Sequence, residues 1–384
     1  MNIGMKGNNV IITDASQRVA LELTRALGEK GIKVLCVERE CFKGPILSAS
    51  SKYSCGLVKI PDYTSDVFIE LCKGANGIFP VSTNTIISVY EKAFNLFPEK
   101  FLLPSKESFY QANTKTSAIG VARDVGVPCP NTEILKNEEG KISLGTLSKF
   151  NLPVVIKLAD DEGLYLEPKE RYGIARTEDE IEEVVNRLKL HKKDLLIQEY
   201  VSGIGIGWSA IYDRESLCQG GIVHQRLREY PISGGPSSYC MSIKDEKAVE
   251  YGKKILNKLK WNGPAMVEFR KEANGDLKFL EINPRYWGSL PLARLAGMNI
   301  PFIHYQIIHG ENKFAETKYR ENVRLKFRGM DFISGLQEIR KNGYNPCDAI
   351  KLLCGMMNPG IPDGIFSLKD PIPGIAYLWK KLIR

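Results

Sequence analysis

An apolar run, Val10-Ile11-Ile12-Thr13, opens the chain; Val19, Leu23 and Leu27 then recur at helical spacing, and a second apolar run spans Lys33 to Val37. Short apolar runs predict buried strands, and the spacing between them predicts a helix that ends at Gly31, with Asp14 or Ser16 placed to cap it. A strand, a helix and a strand in so few residues make a βαβ unit, hence a parallel sheet covered by helices. A strand over Gly77 to Val81 and a helix over Thr85 to Phe97 extend the pattern, and Pro98 and Pro104 punctuate its end. After a helix over Tyr110 to Gly126, Pro128-Cys129-Pro130 opens a segment of different texture. It predicts strands at Leu152 to Lys157 and Leu195 to Val201 around a polar helix, Glu178 to Leu190. A β-rich stretch to residue 243, a helix over Ala248 to Leu259, and strands Ala265 to Arg270 and Leu277 to Ile282 about an Asn274-Gly275 turn come next. The expected division is an α/β domain over 1–105, a second domain over 106–310 with a smaller subdomain near 128–200, and an extension over 311–384.

Composition narrows the classes. The 384 residues are 43% hydrophobic and 26% charged, the balance of a globular protein and not of a disordered, collagen-like or polytopic membrane chain. Lys plus Arg exceed Asp plus Glu by 53 to 45, a net charge of +8, without the basic runs of a nucleic-acid tail. Acidic small molecules such as nucleotides are the expected partners, and nucleic acid is not. Nine cysteines with no CxxC pair suggest neither a disulfide framework nor a zinc site, and most are expected to be reduced core residues. The start of the chain lacks the apolar core of a signal peptide and no stretch reaches eighteen apolar residues, so no membrane span and a cytoplasmic location are expected. The tail segment Ile375-Ala376-Tyr377-Leu378-Trp379-Lys380-Lys381 reads as an amphipathic packing helix, with membrane association as the alternative.

The strand–helix start invites a dinucleotide reading, and Glu38 falls where a ribose-binding acid would sit. The turn Asp14-Ala15-Ser16-Gln17-Arg18 has no glycine to admit a pyrophosphate, which argues against it. The glycine cluster Gly203-Ile204-Gly205-Ile206-Gly207-Trp208 lies far downstream and lacks the third spaced glycine.

The sharpest local signal is Leu280-Glu281-Ile282-Asn283-Pro284-Arg285. Residues two apart on a strand share a face, so Glu281 and Asn283 point one way, and Glu268 from the preceding strand can join them. Two carboxylates and an amide oxygen suit Mg²⁺ held against phosphate oxygens, and Arg285 adds a fork of donors for a phosphoryl group. Two strand carboxylates in surface ion pairs are the alternative. Lys157 ends the buried-type run Val154-Val155-Ile156, where a charge needs a partner, either a nucleotide phosphate or a structural carboxylate. Lys115 lies near a helix start that favours anions, or is simply a surface lysine. Gln198-Glu199-Tyr200-Val201 reads either as an adenine-holding hinge or as an ordinary strand end. His191, His224, His304 and His309 make no metal-binding pair; His224, beside two arginines, is a candidate substrate contact.

In this order the pieces resemble the ATP-grasp superfamily over about 105–310, and most of all its carbamoyl-phosphate-synthase-like carboxylate–amine ligases. The cues for that branch are His224-Gln225-Arg226-Leu227-Arg228-Glu229-Tyr230-Pro231, Gly234-Gly235-Pro236-Ser237-Ser238, and the run from Asn283 through Trp287-Gly288-Ser289 to Ala296-Gly297. The resemblance implies an α/β protein: an N-terminal parallel-sheet domain that precedes two α+β subdomains of an ATP-grasp fold. It implies an enzyme that activates a carboxylate with ATP as an acyl phosphate and joins it to an amine. Lys115 and Lys157 would contact the ATP phosphates, and Gln198, Glu199, Tyr200 and Val201 would hold adenine. Glu268, Glu281 and Asn283 would bind Mg²⁺, with Mn²⁺ as a substitute, and Arg285 would steady the transferring phosphoryl group. Arg226, with Arg228, Gly235 and Ser237, would serve the substrate. The partners are then a small carboxylate and an amine, with a homodimer as the default assembly.

Two departures stand out. Where the family has a glycine-rich loop after the second lysine, this chain has Leu158-Ala159-Asp160-Asp161-Glu162-Gly163, which raises the energy of closure over a triphosphate unless Lys169, Arg171 or Mg²⁺ offsets it. No ribose-binding acid follows the hinge. A kinase or synthetase ending at a phosphorylated or carbamoyl-type product, or a silent nucleotide-binding module, are the alternative activities.

Overall fold

A computed structural model describes residues 9–138, 141–142, 149–160, 168–232, 235–311, 318–356 and 358–382. The first layer contains β1 (Asn9–Ile12), α1 (Arg18–Gly28), β2 (Lys33–Arg39), β3 (Ser54–Ile60), α2 (Asp66–Gly74), β4 (Gly77–Phe79), α3 (Thr83–Glu91) and α4 (Ala93–Leu96). Its four strands are parallel in the order β3-β2-β1-β4, so the chain reverses its winding at β1. Val10, Ile11 and Ile12 are fully buried, as a central parallel strand requires, and α1 buries Val19, Leu23 and Leu27 on the expected face.

Asp14 and Ser16 do not cap α1: Gln17 holds that position without a side-chain bond. Asp14 has a left-handed φ of 49°, and its carboxylate accepts from Thr13 Oγ1 at 2.8 Å, the Ser82 amide at 3.2 Å and Thr85 Oγ1 at 3.0 Å. It therefore ties the end of β1 to the start of α3, and burial raises its pKa against the lowering effect of those bonds. Glu38 accepts from the Ser16 amide at 2.9 Å, a structural use of the acid that resembled a ribose ligand. The helix expected over Thr85–Phe97 is split into α3 and α4 at Lys92. That expected over Tyr110–Gly126 is two helices, α5 (Lys106–Asn113) and α6 (Lys115–Asp124), broken where Thr114 is extended.

The second sheet follows from β5 (Thr132–Leu135), a small hairpin of β6 (Asn137–Glu138) and β7 (Lys141–Ile142), β8 (Val154–Leu158), α7 (Pro168–Arg171), β9 (Tyr172–Ala175), α8 (Glu178–Leu188) and β10 (Leu195–Glu199). It is antiparallel in the order β5-β10-β8-β9. Val154, Ile156, Leu158, Leu195 and Ile197 pack under Ile181, Val184, Val185 and Leu188 of α8. Alternation then turns Val155 and Lys157 to the opposite face.

The third sheet is built from β11 (Ile204–Tyr212), β12 (Cys218–Glu229), β13 (Ser237–Ile243), β14 (Gly263–Lys271), β15 (Leu277–Asn283) and β16 (Arg324–Lys326), antiparallel in the order β15-β14-β11-β12-β13-β16. Helix α9 (Glu246–Lys258) covers one face through Ala248, Ile255 and Leu256 against Trp208, Tyr212 and Phe269. Helices α10 (Leu290–Leu295) and α11 (Ile300–Ile308) join the other face to α1 in one core. The segment beyond 311 supplies β16 and helices α12 (Arg328–Asn342), α13 (Pro346–Met356) and α14 (Ile372–Leu382). Among the described residues no helix is long and apolar enough to cross a membrane. In α14, Tyr377 and Ala376 pack on the core while Ile375, Leu378 and Trp379 are exposed. All nine cysteines are free, but only Cys36, Cys72 and Cys240 are buried; Cys41, Cys55, Cys347 and Cys354 are exposed, so core burial does not hold for most of them.

His304 on α11 is buried under Tyr286, whose hydroxyl lies 2.8 Å from Nδ1, while Nε2 has no hydrogen-bond partner among the described residues. Burial, helped by the charge of Arg214, lowers its pKa to about 3. In the unfolded chain the imidazole titrates near 6.5, so between these values the unfolded state binds the extra proton. This part of the stability is complete above pH 6.5 and is lost as pH falls towards about 3. His304→Gln is expected to make the acid limb of a plot of melting temperature against pH shallower, as read by thermal denaturation between pH 3 and 8.

Candidate active site

A β-bulge sets the acidic end of the site. Phe269 pairs with Phe279, but Glu268 pairs with Glu281, so Leu280 is an extra residue on β15. Before the bulge Leu277 and Phe279 face the core, and after it the phase flips: Ile282 joins the core while Glu281 and Asn283 turn outward beside Glu268. Asn283 Nδ2 donates to Glu268 Oε1 at 2.9 Å and approaches Glu281 Oε1 at 3.5 Å. Two carboxylates directly opposite one another repel, and Glu268 is buried as well. Burial first, then Glu281 and Glu229, raise the pKa of Glu268 against the opposing charge of Arg226.

Arg226 on β12 donates to Glu268 and, at 3.0 Å, to the Gly235 carbonyl. His224, two residues before it, is buried with Nε2 3.3 Å from Ser289 Oγ. Its pKa falls to about 3 through burial and the nearby Arg226 charge, so it is a neutral group at ordinary pH. The glycine cluster with no evident nucleotide role explains how these side chains fit. A Cβ on Gly207 would come within 2.3 Å of the His224 ring, and one on Gly205 within 2.8 Å of the Arg226 stem. The glycines of β11 give the β12 side chains a bed across the sheet.

On the second sheet, Lys157 Nζ donates to Gln198 Oε1 at 3.1 Å, and Gln198 Nε2 donates to Thr132 Oγ1 at 2.8 Å. Lys115 is the first residue of α6, whose N-cap, Thr114, makes no side-chain bond, a helix start that favours an anion. The Glu199 carboxylate accepts from Lys278 at 2.7 Å and from the Asn131 amide at 3.1 Å. Burial pushes its pKa up, but these bonds outweigh that and hold it below the usual carboxylate range. Its side chain thus fastens the hinge to β15.

One cleft of about 840 Å³ brings together Lys115, Lys157, Gln198, Glu199, Tyr200, Val201, Arg226, Gly235, Ser237, Glu268, Glu281, Asn283 and Arg285. That volume lies within the range of small-molecule sites. Arg228 stands apart: it is paired with Asp331 at 2.8 Å, lies over the Tyr239 ring, and lines a separate cavity of about 330 Å³. Its guanidinium is held by α12 and is not presented to the cleft. Residues 161–167 and 233–234, which include the acidic loop residues Asp161, Glu162 and Gly163 and the motif residue Gly234, lie outside the described residues. Asp160, just before that loop, pairs with Lys193 at 3.2 Å.

None of the site residues expected from the sequence lies in the N-terminal layer, which supplies a further wall. Gln17 and Arg18 at the start of α1, and Ser82, Thr83 and Asn84 at the start of α3, line the same cleft, and Arg285 Nε donates to Thr83 Oγ1 at 3.2 Å. These loops lie at the carboxyl ends of β1 and β4, on either side of the point where winding reverses. Open parallel sheets bind ligands there, which is the signal that could have found them.

The acidic set fits a hard divalent ion. Among the described residues no three His, Cys, Asp or Glu side chains gather as a metal site, so protein ligation would come from two carboxylates and the Asn283 amide oxygen after the amide turns over. The remaining positions would be left for phosphate oxygens and water, the usual state of Mg²⁺.

Residues 219–328 match the family model described as "ATP-grasp in the biosynthetic pathway with Ter operon". No curated protein matches the chain. Among solved structures it is similar to a biotin carboxylase–βγ-ATP complex from Campylobacter jejuni, at 19% identity over 83% of this chain and 75% of that one, with a TM-score of 0.63. An ADP complex of N5-carboxyaminoimidazole ribonucleotide synthetase gives 14% identity over 91% and 96% of the two chains, with a TM-score of 0.67. An L-amino acid ligase from Bacillus licheniformis gives 15% over 80% and 76%, with a TM-score of 0.57. At identities of 14–19% these likenesses speak to architecture, and they agree with the sheets described above. The chain has the ATP-grasp fold, an N-terminal parallel sheet followed by two α+β subdomains.

Proposed function

We propose that this protein is an ATP- and Mg²⁺-dependent ligase that activates a carboxylate as an acyl phosphate and joins it to an amine. The observation that carries the reading is the convergence on one cleft of two lysines from separate elements with Glu268, Glu281, Asn283 and Arg285. The similar structures include proteins named as a biotin carboxylase and an L-amino acid ligase, which supports carboxylate activation and amide formation as the chemistry to test.

Adenine would lie against Gln198–Val201 and be read mainly by backbone groups, since the side chains of Gln198 and Glu199 are engaged. Lys115, the N-terminus of α6 and Lys157 would hold the phosphates. Glu268, Glu281 and Asn283 would bind Mg²⁺, or Mn²⁺ in its place; the ion, when bound, supplies charge neutralisation at the β- and γ-phosphates. Arg285 would bear on the γ-phosphoryl group as the substrate carboxylate attacks phosphorus in line and ADP leaves. Arg226, beside Gly235 and Ser237, would orient the acyl phosphate for the amine, whose attack forms the C–N bond and releases phosphate. Alignment and charge neutralisation suffice for both steps, so the protein needs no covalent nucleophile. A domain limit near 105, an extension beyond 310 that contributes β16 to the third sheet, and a homodimer complete the proposal.

The test is phosphate release from MgATP with a panel of carboxylates, with and without pooled amino acids, and mass spectrometry of the products. A ligase releases phosphate steadily only when acid and amine are both present and yields an amide. Steady release or a stable phosphorylated product without amine would assign a kinase or carbamoyl-type synthetase instead. Lys157→Met is expected to raise the KM for ATP by about tenfold or more, the loss of one charge-assisted phosphate contact.

A further inference from the structure

Arg18, the first residue of α1, lines the cleft, and among the described residues no carboxylate pairs with it. Its guanidinium lies 4.3 Å from the centre of the Phe327 ring, and Nη1 is 2.9 Å from Met330 Sδ, a weak acceptor. Nη2 rests on Gly288, where a Cβ would come within 2.6 Å of it. Three other buried or half-buried arginines have acids: Arg25 has Asp370, Arg226 has Glu268 and Arg294 has Glu22. Burial lowers the pKa of Arg18, with only Tyr377 and Cys240 to oppose it. Arg18 is half-buried, and a cation partly withdrawn from water without a counter-charge is destabilised; a ligand anion would offset that cost. Stacking on Phe327 also fixes the plane of the fork, whose N–H edge matches a carboxylate or phosphate. Gln17, without a capping bond, leaves the first-turn amides of α1 beside the same place.

We propose that Arg18 anchors an oxyanion, a carboxylate or a phosphate, carried by the second substrate and not by the nucleotide. The proposal rests on the ligase reading above. The phosphate-holding lysines belong to α6 and β8, whereas Arg18 meets the segment after Arg285 and the residue after β16. Gly288 is then required for space: any side chain there displaces the fork.

The test is calorimetric titration of the full-length protein with inorganic phosphate and with succinate, each with and without saturating Mg²⁺ and the non-hydrolysable nucleotide AMP-PNP. Phosphate or succinate is expected to bind the unaltered protein, and Arg18→Met to weaken that binding about tenfold or more with the AMP-PNP affinity unchanged. Gly288→Ala, which keeps Arg18 and its charge, is expected to weaken it as well, and it carries the test if Arg18→Met does not fold. A preference for phosphate or for succinate identifies the source of the oxyanion, and either supports the proposal. Equal anion affinity in all three proteins, or no anion binding by the unaltered protein, would overturn it. So would a parallel loss of AMP-PNP affinity, which would place Arg18 in the nucleotide site. Arg18-dependent anion binding in a protein that does not bind AMP-PNP would instead remove the ligase reading and leave the anion site standing.

Discussion

Glu281→Ala is expected to lower ATP-dependent turnover by on the order of 10²–10³-fold, the consequence of removing several kcal/mol of metal-borne charge stabilisation. The same change should leave the metal-free melting temperature unchanged or higher. Glu281 sits directly across the β14–β15 pair from Glu268, which is buried. Like charges opposed on neighbouring strands destabilise the fold, so deleting one relieves repulsion in the absence of a cation. A residue that costs stability and is indispensable for turnover has the signature of a functional acid. Glu281→Gln, which keeps the shape, should behave in the same way. Turnover unaffected by either variant would remove Glu281 from the metal site, and no turnover in the unaltered protein would make it a silent nucleotide-binding module; phosphate-release kinetics and thermal melts with and without Mg²⁺ read both halves of the expectation.

Asp370→Ala is expected to cost about 3–5 kcal/mol of stability, the usual cost of leaving one member of a buried ion pair alone. Asp370 lies just before α14, and its side chain is 2% exposed. It accepts from Arg25 Nε at 2.9 Å, Ser51 Oγ at 2.8 Å and the Lys52 amide at 3.0 Å. One carboxylate thus fastens the end of the chain to α1 and to the segment before β3. Its loss strands the Arg25 guanidinium, which is 4% exposed, and frees two further donors. Arg25→Leu combined with Asp370→Ala should recover part of the loss because no charge is left unpaired. Chemical denaturation of the two variants and the unaltered protein measures the difference.

The parts of this protein that are legible in its sequence are those whose cause is local. Val10 to Ile12 with the spacing of Val19, Leu23 and Leu27 encodes a βαβ unit within a few turns of chain, and that unit is present. The grouping of Glu281, Asn283 and Arg285 was visible because they lie in five residues of one strand and its exit. Its geometric reason was not: Phe279 has the same parity as Glu281, and only the bulge at Leu280 sends one inward and the other outward. β3 was missed because Ser54-Cys55-Gly56-Leu57-Val58-Lys59-Ile60 is an edge strand with alternate residues exposed and a glycine inside it. Thr114 hid a helix break because apolar periodicity runs through it. Arg18 could not be recognised from neighbours in sequence, since Gly288 and Phe327 reach it only through tertiary packing. Arg228 was misplaced for the same reason: Asp331, which captures it, is a hundred residues away.

β16 has a practical consequence for anyone shortening the chain. Its residues Arg324 to Lys326 pair with Tyr239 to Met241 and form the outer border of the largest sheet. A fragment ending at 310 would uncover the backbone of β13 along that border, and a bare row of amides and carbonyls is a template on which another chain can add. Such a fragment would carry every proposed nucleotide contact and still be a poor reagent, recovered as aggregates unless the missing border is supplied by a peptide that includes 324–326.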